Sequence, residues 1–376
     1  MPHHCFVRPP GRVALQEKED RISIAEMSPA VVAGVDCHSE FHHAVALDDR
    51  GRKLGELRFD ATGAGCRQAV GWLQRLGTID VVGIESSGSY GAELSRVLRR
   101  VGVPVVEVNR PHAHTRHRRG KSDEIDAEAT ARKVLAGDTR VVPKDTTGVV
   151  EAIRQLKVAR DGALKARGAA LVQLRDLIIT APAELRETLS KRKTLRGRAT
   201  LCRRLRPDLT RLDEPLEAAK LSLRSLARRI TSLDDEIAEL DLQLEPLVRQ
   251  AAPRTVELFG VGVGHTTQML VTTGQNIDRI RNESAFAHLC GADPIPASSG
   301  KTVRHRLNPG GDRDANSTLH MVAVVRLRYC DRTRAYAARR LEEGLNKREV
   351  IRCLKRYIAR EIYRSLRQDL TVLART

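Results

Sequence analysis

Val31-Val32-Ala33-Gly34-Val35-Asp36 decides how the first part of the chain is read, because an apolar run leads straight into a carboxylate. A short apolar run closed by a polar break reads as a buried strand. Past that break, Phe41-His42-His43-Ala44-Val45-Ala46-Leu47 reads as a second strand. Asp48-Asp49-Arg50-Gly51 is a turn, and Lys53 to Phe59 makes a third strand. Three strands with short connections predict an antiparallel meander. Ala64 to Leu76 has helical spacing through Cys66, Val70, Leu73 and Leu76. Ile79-Asp80-Val81-Val82-Gly83-Ile84-Glu85 then repeats the opening pattern, again ending on an acid. The small-residue turn Ser86 to Gly91, a helix over Ala92–Val101 and a strand over Val103–Val108 follow. Strands and helices alternating after a meander predict a mixed α/β sheet with helices on its faces.

Asp36 and Glu85 both end strands, and parallel neighbours would bring them to the same carboxyl edge of the sheet. The stretch Lys121-Ser122-Asp123-Glu124-Ile125-Asp126-Ala127-Glu128-Ala129 adds two more acids at the start of a helix-forming run. Asp123 and Asp126 are three apart and therefore share a helical face. Carboxylates side by side repel unless a cation sits between them, and a hard divalent ion such as Mg2+ takes oxygen ligands. Four such acids suffice for one or two Mg2+ ions about 3.5–4 Å apart. Taken singly, each acid has an ordinary reading: a turn residue, a helix N-cap neighbour, or acids favoured by the helix dipole. All four in this strand–strand–helix order make coincidence the weaker account. Directly upstream, the segment Arg110–Lys121 supplies Arg116, Arg118, Arg119 and Lys121 as phosphate contacts.

The 376-residue chain is long enough for two or three domains, and its net charge of +18 favours a polyanionic partner. No apolar run of about 18 residues is present, so no membrane span is expected. The first 30 residues hold no apolar core with a cleavage site, so no secretory signal is expected either. Seven scattered cysteines without a C-x-x-C pair argue against zinc or a disulfide framework, and for a reducing cytoplasm. Aromatics make up only 3 % of the chain, which argues against base stacking as the mode of nucleic-acid binding. Backbone electrostatics, or a guide strand that pairs with the target, fits better.

Residues 1–30 read as a poorly ordered leader, 31–145 as the α/β domain, 146–250 as a helical region and 251–376 as a mainly helical domain. In the helical region Leu216, Ala219, Leu223, Leu226, Ile230, Leu233, Ile237, Leu240, Leu244 and Leu247 alternate steps of three and four, the seam of a coiled coil. Pro215 suits its first turn and Pro246 is expected to mark its end. An earlier helix, about Val149 to Ile179, has a looser seam and pairs with it as an antiparallel hairpin or forms a dimer interface. Between them, Lys191 to Arg206 is a second basic cluster. Further on, Leu258 to Thr266 reads either as the turn of a helix-hairpin-helix, whose glycines offer N–H groups to a phosphate, or as a simple tight turn. The loop Ser298-Ser299-Gly300-Lys301 brings serines beside Lys301, Arg304, Arg306 and Arg313, cations suited to holding a phosphate.

From about residue 31 onward the chain resembles the DEDD transposases of the bacterial insertion-sequence family numbered one hundred and ten. The resemblance rests on Gly34-Val-Asp36, Ile84-Glu85-Ser-Ser-Gly-Ser-Tyr90 and Lys121-Ser-Asp123-Glu-Ile-Asp126-Ala127. In the C-terminal part it rests on Phe259-Gly-Val-Gly-Val-Gly264, Pro296-Ala-Ser-Ser299-Gly300 and Gly310-Gly-Asp-Arg-Asp-Ala-Asn316. It implies a RuvC-like, RNase H-type first domain whose Asp36, Glu85, Asp123 and Asp126 bind Mg2+. It also implies a coiled-coil region and a C-terminal transposase domain with a nucleophilic serine, Ser299, or Ser298 beside it, which becomes covalently linked to a DNA phosphate. The implied partners are double-stranded DNA at the element ends and target, and a structured noncoding RNA that pairs with both. A homodimer or homotetramer is expected, and no membrane partner. Ser86-Ser87 departs from the family, which more often has Ala-Thr there, and the departure touches the turn rather than a ligand. Set against this reading are a RuvC-like nuclease or junction resolvase without serine chemistry, a nucleic-acid binder without activity, and an actin-like ATPase or sugar kinase.

Overall fold

The computed structural model describes residues 30–109, 122–297, 305–306 and 308–375. The chain divides into two compact units between Arg140 and Val141. Residues 1–29 of the expected leader lie outside the described residues.

The first unit is organised by five strands, β1 (Ala30–Cys37), β2 (Phe41–Leu47), β3 (Lys53–Asp60), β4 (Thr78–Ile84) and β5 (Val105–Glu107). They form one sheet in the order β3-β2-β1-β4-β5. The β1–β2 and β2–β3 pairs are antiparallel, and the β1–β4 and β4–β5 pairs are parallel. The meander and the mixed sheet therefore form as their apolar runs predict. Helices α1 (Gly63–Leu76) and α2 (Ala92–Arg100) bury Cys66, Val70, Leu73, Val97 and Leu98 against Val31, Ala33 and Val35 on one face. The opposite face belongs to α3 (Asp123–Leu135), which packs through Ala127, Ala131 and Val134 against Val32, Val45, Leu47 and Val108.

Strand periodicity assigns the acids to a face. Side chains alternate along a strand, so with Val31, Ala33 and Val35 facing α1, the positions Val32, Gly34 and Asp36 face α3. In β4, Val82 and Ile84 join the α1 face, which leaves Gly83 and Glu85 on the α3 face. Gly34 and Gly83 are direct partners across the parallel pair. A methyl group at Gly34 would run into the backbone of Ala127 and Ala131, and one at Gly83 into Val134. The two glycines are thus a flat bed on which a helix of small residues lies close to the sheet.

The second unit is helical among its described residues, apart from a two-stranded ribbon. Helices α4 (Gly148–Thr180), α5 (Ala183–Ser190), α6 (Leu195–Arg203) and α7 (Pro215–Ala251) form one end of it. Arg160 pairs with Asp241, and Arg167 with Asp234 at 2.8 Å. Seven residues forward on α4 thus correspond to seven backward on α7, so the pair is an antiparallel hairpin within one chain. Within the α7 seam, Leu223, Ile230, Ile237 and Leu244 are fully buried, while Leu233, Leu240 and Leu247 are half-buried. Pro246 does not end α7, which runs on to Ala251. Packing of Leu244, Val248 and Ala251 into the core outweighs the hydrogen bond that proline cannot donate.

Helices α8 (Pro253–Val256), α9 (Gly262–Thr273), α10 (Glu283–Leu289), α11 (Arg313–Tyr329), α12 (Asp331–Glu342) and α13 (Lys347–Leu373) complete the unit, with ribbon strands β6 (Ile295–Pro296) and β7 (His305–Arg306). The buried spine Val350, Leu354, Ile358, Ile362, Leu366, Leu370 of α13 steps by four, the period of one helix face. Val150 and Ile153 of α4 share this core with α9 to α13.

Candidate metal centre

Three elements position the four acids of the site: β1, the end of β4, and α3. Asp36 stands near the end of β1, and the Glu85 backbone N–H continues the strand pairing by donating to the Val35 carbonyl at 3.2 Å. Ser122 caps α3 by accepting from the Ile125 N–H at 3.3 Å. That cap fixes the helix start, so Asp123 and Asp126 occupy its first turn, where the dipole favours negative charge. The glycine bed then sets this turn above the carboxyl ends of β1 and β4.

The result is a gathering of carboxylates. His38 Nε2 lies 3.1 Å from Asp36 and 3.3 Å from Asp123, bridging the two. The ligand atoms of Asp36, His38 and Asp123 all lie within 4.8 Å of one another. Glu85 is buried and accepts a hydrogen bond from the Thr130 hydroxyl at 3.2 Å. Burial first, and then the charges of Asp36 and Asp126, push its carboxyl above the usual range. Neighbouring carboxylates that oppose ionisation of Glu85, with an imidazole bridging Asp36 and Asp123 where a cation would sit, fit a divalent-metal donor set.

Three contributors escaped the sequence reading. His38 was passed over as part of a polar break, although it sits two residues after a candidate ligand. Thr130 lies on α3 one turn beyond Asp126, and i, i+4 spacing was the available signal. Glu107 ends β5 as Glu85 follows β4. It accepts from the Ser87 hydroxyl and from the backbone of Ser86 and Ser87, and burial raises its carboxyl above the ordinary value. It clamps the turn that follows Glu85, in which Ser86 takes a left-handed φ of 59°.

Two family models match the chain. One, DEDD_Tnp_IS110, described as a transposase, covers residues 33–180; the other, described as "Transposase IS116/IS110/IS902 family", covers residues 255–338. The chain belongs to the IS110 family of transposases. No curated protein matches it. Membership makes the chain a DNA transposase and recombinase, with DNA as its partner. The DEDD domain implies a RuvC-like fold and divalent-metal binding, and the mixed sheet with its acid cluster agrees with both.

Other expected site residues fall elsewhere. Arg116, Arg118, Arg119, Lys121, Ser298, Ser299, Lys301 and Arg304 lie outside the described residues. Arg306 is exposed on β7, and Arg313 is exposed at the first position of α11. Of the Gly310–Asn316 motif, Asp312 caps α11 by accepting from Ala315 N–H at 3.0 Å, and Asn316 donates to the carbonyls of Cys290 and Gly291. Of the Phe259–Gly264 motif, Phe259 to Val261 lie in the turn between α8 and α9 and Gly262 to Gly264 open α9, with positive φ at Gly260 and Gly262. No described helix is long and apolar enough to cross a membrane.

Proposed function

We propose that this IS110-family transposase cuts and rejoins DNA with Mg2+ held by Asp36, Glu85, Asp123 and Asp126 and with a serine nucleophile, guided by a structured RNA from its own element. The observation that supports the metal assignment is Asp36 and Asp123 bridged by His38, with Glu85 near enough to Asp36 and Asp126 for their charges to raise its carboxyl. Bound Mg2+ would polarise the scissile phosphate and offset the charge that develops on it. Asp36 and Glu85 hold their positions through strand pairing, and Thr130 orients the Glu85 carboxylate. Ser299, with Ser298 as the neighbouring candidate, is assigned the attack by family resemblance. Its oxygen bonds to phosphorus, its proton passes to solvent, and the deoxyribose oxygen leaves as a hydroxyl after taking a proton. Attack by the hydroxyl of another strand reverses the linkage, so the energy of the broken bond is retained for joining.

The basic residues Arg116, Arg118, Arg119, Lys121, Lys301, Arg304, Arg306 and Arg313 are assigned to nucleic-acid backbones, leaving sequence to be read by pairing, as in other RNA-guided systems. The α4–α7 pair is read as a coiled-coil arm whose half-buried Leu233 and Leu240 join chains into a homodimer or homotetramer. The test is to trap the protein on a suicide DNA substrate with Mg2+ and the element's RNA, and to map the attached residue. A DNA adduct on Ser299, lost in Ser299→Ala, is expected. Free cleavage ends without an adduct would instead mark a metal-dependent nuclease.

A further inference from the structure

A cleft of about 920 Å³ opens in the second unit between α12, α13 and the β7 strand of the ribbon. Seven of its lining side chains are arginine or lysine, and two, Asp293 and Glu349, are acids. Concentrated positive charge on a concave surface draws a polyanion. Much of this charge is offset: Arg360 donates to Glu283 at 2.9 Å and Arg340 to Glu343, Arg339 lies 3.6 Å from Glu343, Arg352 lies 3.7 Å from Glu349, and Arg356 lies 3.6 Å from Glu283 and 3.8 Å from Asp293. The Arg352 and Arg356 separations exceed hydrogen-bond length, and they leave donors open. Arg356 Nη1 and Arg340 Nε are buried with no hydrogen-bond partner among the described residues. Lys355, only 6 % exposed, donates to the Asn316 side-chain oxygen, and its ammonium has three protons to give. Buried donors without acceptors are costly, and phosphate oxygens would satisfy them.

Charge alone would suit any stretch of duplex backbone. The aromatic residues narrow the choice. Two of the chain's five tyrosines meet here, Tyr336 and Tyr357, edge to face at 5.7 Å and 83°. Tyr357 is 53 % exposed within this lining, and the Arg360 guanidinium stands 6.0 Å from its ring centroid, so a large, partly open ring sits directly beside cations. An aromatic face next to phosphate donors is the equipment for an unstacked base. A base still paired inside a duplex presents no face to such a ring, so the base must leave the stack.

We propose that this cleft holds one unpaired deoxynucleotide of the DNA substrate, its base stacked on Tyr357 and its phosphate met by Arg352, Lys355 and Arg356. The proposal rests on DNA being the substrate, and is independent of which hydroxyl attacks it.

The test uses the full-length protein and a short duplex carrying one bulged 2-aminopurine, compared with the same duplex in which 2-aminopurine is paired. The bulged probe should bind about tenfold more tightly than the paired one, with its fluorescence quenched by stacking. Tyr357→Leu should lose both the preference and the quenching, and Tyr357→Phe should keep both. Equal affinity for the two probes, or a preference that survives Tyr357→Leu, overturns the proposal. Tighter binding of a bulged ribonucleotide probe assigns the cleft to RNA and overturns the DNA assignment. Wild-type protein that cleaves DNA without quenching sinks the cleft alone. Quenching with no serine adduct leaves the cleft standing and sinks the serine reading.

Discussion

Glu85 keeps a carboxylate where burial and the charges of Asp36 and Asp126 oppose its ionisation. Its folded-state pKa is raised, so without metal its contribution to stability is full below the ordinary value of 4.5 and is lost as pH climbs through the folded value. In EDTA at about pH 8, Glu85→Gln should therefore melt above wild type. Adding Mg2+ should reverse that order, because only the intact donor set gains from the ion. Equal gains in melting temperature would remove Glu85 from the ligands. His42 has the opposite sign. Burial holds its imidazole below the ordinary 6.5, with the Phe41 backbone and Asp36 opposing this and His38 adding to it, and its Nδ1 has no hydrogen-bond partner among the described residues. Its contribution is full above pH 6.5 and is lost as pH falls through the folded value. The acid limb of the melting-temperature profile should flatten in His42→Leu, and an unchanged slope would exclude the residue as the cause. At this scale the sequence is legible where a residue closes a pattern, as Asp36 and Glu85 do. It is silent where a residue acts through a partner distant in the chain, as Thr130 does for Glu85 and Glu107 for the turn at Ser87.

The element that controls the site is α3, and what controls α3 is the pair of positions beneath it. Gly34→Ala would set a methyl group against the backbone of Ala127 and Ala131, which cannot retreat as a flexible side chain would. A loss of about 2 kcal/mol or more in urea unfolding is expected, together with loss of the Mg2+-induced rise in melting temperature. A variant of wild-type stability would show that the helix can shift away at little cost. On α7, Pro246→Ala restores a backbone donor in the helix interior and should raise stability by up to about 3 kcal/mol. No gain in urea unfolding would mean that the helix had already adjusted around the ring. The strands were readable because their apolar runs and turns follow a period of two. The end of α7 was not, because proline acts locally while Val248 and Ala251 are held by a core gathered from distant parts of the chain. The β6–β7 ribbon, two residues a side, is too short to carry a period at all.

Across the whole molecule, the chain divides into two compact units between Arg140 and Val141, and the acid cluster belongs to the first. Calorimetry should therefore resolve two unfolding transitions, of which EDTA lowers only the one that carries the acids. A single transition moved as a whole would show that the units unfold together. The four acids and the basic balance could be read from the text; the cleft around Tyr357 could not, since β7, α12 and α13 bring its lining together only on folding. The paired glycines of β1 and β4 carry a consequence for mobile elements that multiply and decay. A duplicate that retained every metal ligand but gained one methyl group at Gly34 or Gly83 would pass inspection as intact and yet be inert. When a genome's copies are sorted into live and dead, these two positions, Gly34 above all because it faces backbone, are worth reading beside the acids.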